Sequence, residues 1–224
     1  MLRKSLSRLP PTLDKTYERI LSSVPEEYSS YAVRLLRWLA FSARPLLLEE
    51  VAEAVAIDPE RNTAFDRDEV LEDPSDILEI CSTLVALTVI SSNKITAGYD
   101  SSPRDCKALV LAHYSVQEYL TSERCLKGPM ARFGTIPEAC HRFITSSCLS
   151  YLQLIDDVHY FSTNRVDDVK LGLYSAKYWI DHAQKTTMNQ RLTQQVIAMI
   201  TNSEAVYYNW IKMHDADQPW KVRT

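Results

Sequence analysis

Glycine is almost missing from this chain: Gly98, Gly128, Gly134 and Gly172 are the four present in 224 residues. A sequence so poor in glycine, and rich in Leu, Ala, Glu and Tyr, favours helices over a turn-rich β sandwich or a doubly wound sheet. The scarcity also bears on chemistry. A phosphate-cradling loop needs G-x-x-x-x-G-K-[ST], and the Lys4-Ser5 and Lys185-Thr186 pairs have no glycine at the required places. A hydrolase-type G-x-S-x-G elbow is absent as well, because no two glycines stand four apart. No ATP hydrolysis by this chain alone is expected, and no catalytic residue is assigned.

Long apolar runs are missing too. The uncharged stretch from Ile80 to Asn93 falls short of the roughly 18 to 20 residues a membrane span needs, so no membrane partner is expected. Arg3, Lys4 and Arg8 lead into Pro10-Pro11 and not into an apolar segment, unlike a secretory signal. The cysteines (Cys81, Cys106, Cys125, Cys140, Cys148) number five and contain no C-x-x-C pair. That usage fits reduced core thiols in the cytoplasm. His141, His159, His182 and His214 show no metal-ligand spacing, so no zinc site is expected. A nucleophile pair of Cys125 or Cys140 with a distant His has no local support against the commoner outcome of buried thiols.

A basic excess is also lacking. Residues 1–125 carry 14 Lys+Arg against 20 Asp+Glu, a net of −6, and residues 126–224 carry 11 against 9, a net of +2. Neither half attracts nucleic acid through charge.

What is present is helical periodicity. Leu13, Tyr17, Ile20 and Leu21 mark a first helix over residues 12–22, started by Pro10-Pro11. Pro25 is expected to open a second, whose core stripe is Tyr28, Tyr31, Ala32, Leu35 and Leu39, widened by Trp38 and Phe41. Arg44-Pro45 ends it, and a shorter helix follows over residues 48–57. Asp73-Pro74 caps the next, with Ile77, Ile80, Cys81, Leu84 and Val85 as its buried face. Two β-rich runs then appear, 87–91 and 108–113, joined by a polar loop with Gly98 and Pro103. Three helices and a ribbon are the order of a winged helix. Ser115-Val116-Gln117-Glu118 reads as a capping box that starts a further helix. Helices are expected near 136–154, 170–184, 189–201 and 204–213, with a loop tip over 156–168. The aromatics Tyr174, Tyr178, Trp179, Tyr207, Tyr208 and Trp210 fit core or a docking face better than stacking on a ligand. The fold class is therefore mainly α, a winged helix followed by a helical bundle.

Several stretches together carry a family resemblance. LPPTLDKTYERIL over 9–21, RLLRWLAFSARPLLLEEVAEAVAID over 34–58, DILEICSTLV over 76–85 and LAHYSVQEYLTSE over 111–123 resemble the region between the NACHT ATPase domain and the ankyrin repeats of fungal STAND proteins. That region is a winged helix of the GPI inositol-deacylase type with a helical connector, and YSAKYWIDHA over 174–183 and YYNWIKMHDADQPW over 207–220 are similar to the connector. One departure is Leu47, where such modules often place a capping Thr or Ser, worth about 1 kcal/mol.

The resemblance implies a non-catalytic module for interdomain contact, holding the nucleotide-bound closed state of a signalling ATPase. It divides the chain into the end of a preceding helical segment (1–24), a winged helix (25–125), a connector (126–214) and a linker toward a repeat domain (215–224). Its partners would be the NACHT ATPase domain and ankyrin repeats of a longer parent, with oligomers formed only by that parent. No cofactor is expected on this chain alone, whereas ADP or ATP is implied for the parent. His113 heads an H-x-x-x-[QE]-[ED]-[YF] motif whose His, in related proteins, touches the β-phosphate of ADP; Ser115, Gln117 and Glu118 would shape the turn. The competing reading is a structural His whose ring bonds nearby backbone carbonyls.

The rival class is a DNA-binding winged-helix regulator. Between Asp68 and Asn93 no basic residue occurs, while Asp68, Glu69, Glu72, Asp73, Asp76 and Glu79 crowd the helix that would enter the major groove. Phosphates would repel it. Random duplex DNA is therefore expected not to bind, as an anisotropy titration between about 50 and 200 mM salt would show; tight binding that weakens steeply over that range would favour the regulator.

Overall fold

The computed structural model describes residues 11–61, 63–81, 83–91, 105–156 and 169–214. The expected hairpin loop with Gly98 and Pro103, most of the expected loop tip over 156–168, and the expected linker over 215–224 lie outside these residues.

Helix α1 (Pro11–Ser22) buries Tyr17 and Leu21, one face of its amphipathic pattern. Asp14, also buried, pairs with Arg124, 110 residues later in the chain. Pro25 begins a 3-10 turn over Glu26–Tyr28 that runs into α2 (Ser29–Phe41). Tyr28 therefore sits on the turn and is exposed, whereas Ala32, Leu35, Leu36 and Trp38 form the buried face of α2. The expected stripe holds at its centre and fails at its first residue, because the 3-10 turn rotates that side chain away from the core.

Strand β1 (Leu46–Leu47) leads directly into α3 (Leu48–Ala56), nearly all of whose side chains are buried, Glu50 and Glu53 included. Two side chains of α2 satisfy carbonyls that the last turn of α3 leaves open: Trp38 Nε1–H donates to Ala54 O at 3.1 Å and Arg34 Nε–H to Val55 O at 2.5 Å. At the other end Leu47 offers no capping oxygen. The Glu50 carboxylate instead accepts the Leu47 N–H at 2.8 Å and takes a bidentate ion pair from Arg44. The missing Ser or Thr is thus compensated by a charge-assisted bond.

The third helix is shorter than expected. A 3-10 turn over Pro74–Asp76, capped by Asp73, continues into one α turn, α4 (Ile77–Ile80). The buried residues are the expected ones, Ile77, Ile80, Cys81, Leu84 and Val85. The chain leaves helical geometry at Cys81, because Val85 already begins β2 (Val85–Ser91). Strand β2 pairs antiparallel with β3 (Asp105–Leu111), in register from Val85 opposite Leu111 to Ser91 opposite Asp105. Leu46 and Leu47 pair with the other edge of β3, so the sheet has three strands in the order β1-β3-β2 and not the two expected. Two residues are too few to show the alternation by which a strand is read from sequence.

After the sheet come α5 (Tyr114–Leu120), α6 (Glu123–Lys127), a 3-10 turn over Ala131–Phe133, and the long α7 (Pro137–Leu152). Gly128 closes α6, and a Cβ there would lie 2.4 Å from Arg124 O. Helix α7 packs against α2 on one side and against α8 (Gly172–Ala183) and α9 (Gln190–Thr201) on the other. Helix α10 (Glu204–His214) completes the bundle, with Trp210 set edge-on to Trp179 and Asn209 donating to Ile155 O. The apolar core is continuous from α2 and α3 through α7 to α8.

A polar chain runs through that core. Ala43 N–H donates to Tyr174 Oη at 2.9 Å, Tyr174 Oη lies 2.9 Å from His182 Nε2, and His182 Nδ1 lies 2.9 Å from His141 Nδ1. With every group satisfied, Tyr174 donates to His182 and His182 to His141, which needs His182 neutral. Burial, together with His141 and Lys185, pushes the His182 imidazole down to about 3. In the unfolded chain the ring takes up a proton near its ordinary value of about 6.5 that the folded state refuses, so stability contributed by neutral His182 is lost as pH falls from about 6.5 toward 3. The slope of unfolding free energy against pH is expected to reach up to about 1.4 kcal/mol per pH unit from this residue, and His182→Gln to flatten it while lowering stability at pH 8; urea melts from pH 8 to 4.5 measure both.

Candidate functional site at the foot of the hairpin

His113 stands where β3 ends and α5 begins. Its backbone is extended (φ −153°, ψ 148°), and its own ring caps the helix: Nδ1 accepts the Ser115 N–H at 3.1 Å. The expected capping box is displaced by two residues. Ser115 lies inside the first turn, 2% exposed, with its Oγ 2.6 Å from His113 Nδ1 and 2.7 Å from the buried Tyr17 hydroxyl. Tyr17 donates to Ser115 Oγ, and Ser115 donates to the ring. This chain of donors keeps Nδ1 unprotonated and places the proton of the neutral ring on Nε2.

The rest of the ring is open. His113 is exposed, and its face leans on the Tyr114 ring at 4.2 Å between centroids. The expected alternative, ring nitrogens bonding backbone carbonyls, takes a different form here, since among the described residues the one backbone partner is an N–H and only Nδ1 is engaged. Gln117 supports the turn from behind, its Nε2 donating to Ala40 O at the end of α2 at 2.6 Å. Glu118 lies half-exposed on the same helix, and no hydrogen bond joins it to the ring. Thus the structure brings His113, Ser115 and Gln117 into one fixed turn and leaves Glu118 beside it. Tyr17, the residue that locks Ser115, has no signal near the motif in sequence.

A serine oxygen against a histidine nitrogen has the outward form of a nucleophile and its base. The geometry does not suit that use: the Ser115 hydroxyl is sealed from substrate, and among the described residues no carboxylate bonds the ring's other nitrogen. The thiols are no better placed. Burial pushes Cys125 and Cys140 up to about 11 and Cys81 and Cys148 up to about 12, so these stay protonated at neutral pH. Among the described residues no group of three or more His, Cys, Asp or Glu side chains could hold a metal ion, and no helix is long and apolar enough to cross a membrane. What the turn offers is one N–H on an exposed ring fixed through its other nitrogen, suited to an oxyanion or carbonyl acceptor.

The family model described as GPI inositol-deacylase, winged helix domain, matches residues 20–134. This chain belongs to that family. The match runs from α1 to the turn after α6 and contains the whole three-helix and three-strand unit, His113 included. Among curated proteins, the chain is 29% identical over 222 residues to "Azaphilone pigments biosynthesis cluster protein L" of Monascus ruber, an alignment covering 97% of this chain and 45% of that protein. The chain therefore spans less than half the length of this fungal relative. No solved structure matches it significantly.

Removing the hydroxyl in Ser115→Ala would leave the buried Tyr17 hydroxyl without its partner and the His113 ring held by one bond. A loss of about 1–2 kcal/mol in chemical unfolding is expected, together with a more mixed His113 tautomer population in long-range 1H–15N NMR spectra; an unchanged tautomer would mean that the backbone N–H alone positions the ring.

Proposed function

We propose that this winged helix and its helical extension form a non-catalytic interdomain module of a NACHT-type signalling ATPase. In this reading His113 holds the nucleotide-bound closed state by donating Nε2–H to the β-phosphate of ADP bound on the neighbouring ATPase domain. The observation that carries the proposal is an exposed imidazole held in one tautomer by Ser115 and Tyr17, with Nε2 unbonded among the described residues. A ring so fixed loses little further freedom on meeting a ligand. The module also leaves more than half of its curated relative unaccounted for, which gives room for further domains in that protein.

The physical logic is linkage. A nucleotide shared between two domains favours their closed arrangement only by the extra affinity it has there, so losing one shared bond favours opening. Ankyrin repeats following the bundle, and a cytoplasmic setting, belong to the same proposal. The alternative of a DNA-binding regulator finds little support in the fold, since α4 is a single turn that carries Glu79 and follows Asp73 and Asp76.

His113→Leu in a longer protein that carries the ATPase domain is expected to speed ADP release about tenfold or more, the worth of one hydrogen bond to a charged group. Basal oligomerisation is expected to rise with it. Nucleotide retention by filter binding and oligomeric state by light scattering check both, and unchanged values would overturn the proposal.

A further inference from the structure

Where α2 and the segment 58–60 face α7 and α9, the protein has a cleft of about 590 Å3. It lies away from the His113 turn and is independent of it. Five guanidinium groups line this cleft against three carboxylates, although the chain as a whole is acidic. Most of the cations are already paired. Arg132 meets Glu26 at 2.5 Å and Arg191 meets Glu60 at 3.3 Å, but both glutamates are exposed at the rim, where such pairs are weak and readily exchanged. Arg142 pairs with Glu138 at 3.0 Å, outside the cleft.

Arg37 differs from these. Among the described residues no carboxylate pairs with it, and its guanidinium rests on the face of Phe143, 5.3 Å from the ring centroid. Stacking fixes the plane and leaves the N–H edges for an acceptor. One turn back on the same face of α2, the Arg34 side chain is 6% exposed. Its Nε is spent on Val55 O and its Nη1 lies 3.5 Å from Asp58, while Nη2 is buried without a hydrogen-bond partner. Arg142 Nε is buried and unpartnered as well. Buried N–H groups left without acceptors cost stability, so Arg34 and Arg142, on two packed helices either side of Arg37, mark a place where an acceptor is missing.

We propose that this cleft binds a small organic phosphate, with Arg37 as the main contact to the phosphate and Arg34 and Arg142 completing its coordination. A phosphate monoester presents three acceptor oxygens and up to two negative charges, which suits convergent guanidinium forks better than the two oxygens of a carboxylate. The volume is that of a small-molecule site, and Val33, Phe143 and Leu192 supply apolar wall for an organic body. Because the contacts come from α2 on one side and α7 on the other, the bound ligand would also tighten the seam between the winged helix and the bundle.

Titration of the purified chain with phenyl phosphate at constant ionic strength tests this. Expected are saturable binding by calorimetry, a rise in melting temperature, and weaker binding of inorganic phosphate, which lacks the apolar body. Arg37→Gln should weaken phenyl phosphate binding about tenfold, whereas Arg19→Gln, an exposed change on α1, should leave it unaltered. If Arg37→Gln disturbs the circular dichroism spectrum, Arg142→Gln serves in its place with the same expected direction. Absence of saturable binding, equal binding to the well-folded Arg37→Gln or Arg142→Gln protein, or equal affinity for inorganic phosphate would overturn the assignment.

Discussion

A helix enclosed on nearly every side can carry two glutamates only if each carboxylate finds donors, and α3 meets that condition on two different neighbours. Glu50 is held by Arg44 and the Leu47 N–H, both in the segment that enters the helix. Glu53 accepts from the Tyr151 hydroxyl of α7 and from the Leu171 N–H just ahead of α8. Burial raises the Glu53 carboxyl above the ordinary carboxylate range, with Tyr151 and Leu171 acting against it. Unpaired, either group would be among the most expensive defects a core can hold. The winged helix and the bundle thus share one polar anchor as well as one apolar core.

That anchor bears on function through rigidity. Helix α2 is fastened to α3 by Trp38 and Arg34, to α5 by Gln117, and to the start of α8 through Ala43 and Tyr174. The His113 turn is therefore mounted on elements that are tied to the interior, and its ring orientation follows from α1 through Tyr17 and Ser115. On the proposed reading, a site that meets a neighbour's ligand gains from such a mount, because little remains to be ordered on contact. The arginine cleft has the opposite character: its cations sit at the seam between packed layers, with donor capacity that the fold itself leaves unfilled.

Much of this architecture was legible in the residues. The helical stripes of α1, α2, α3 and α7 to α10, the Asp73-Pro74 start and the β-branched runs of the hairpin are local patterns with periods of 3.6 or 2, so they could be read within a short window. The misreadings were also local. A two-residue strand has no period, and the buried run from Ile77 to Val85 looks helical until the paired strand claims its end. The candidate site was half legible. The motif locates His113, but serine's usual place as a capping residue points to Ser115 as the cap. In the structure the hydroxyl is drawn to Tyr17, 98 residues earlier, and the imidazole caps instead.

By itself the sequence determined a mainly helical winged-helix chain, the order of its elements, the burial of four of its five thiols and the position of one conspicuous histidine, since each depends on side-chain periodicity or on chemistry carried by neighbouring residues. Tertiary structure alone decided which polar groups meet. Glu53 is joined to Tyr151 and His141 to His182 across 98 and 41 residues, and the arginines of α2 line one cleft with Arg142, about 105 residues on. Such meetings follow from how distant segments pack, and in the first two from the demand that a buried donor find an acceptor, a condition on the whole fold that no single segment expresses.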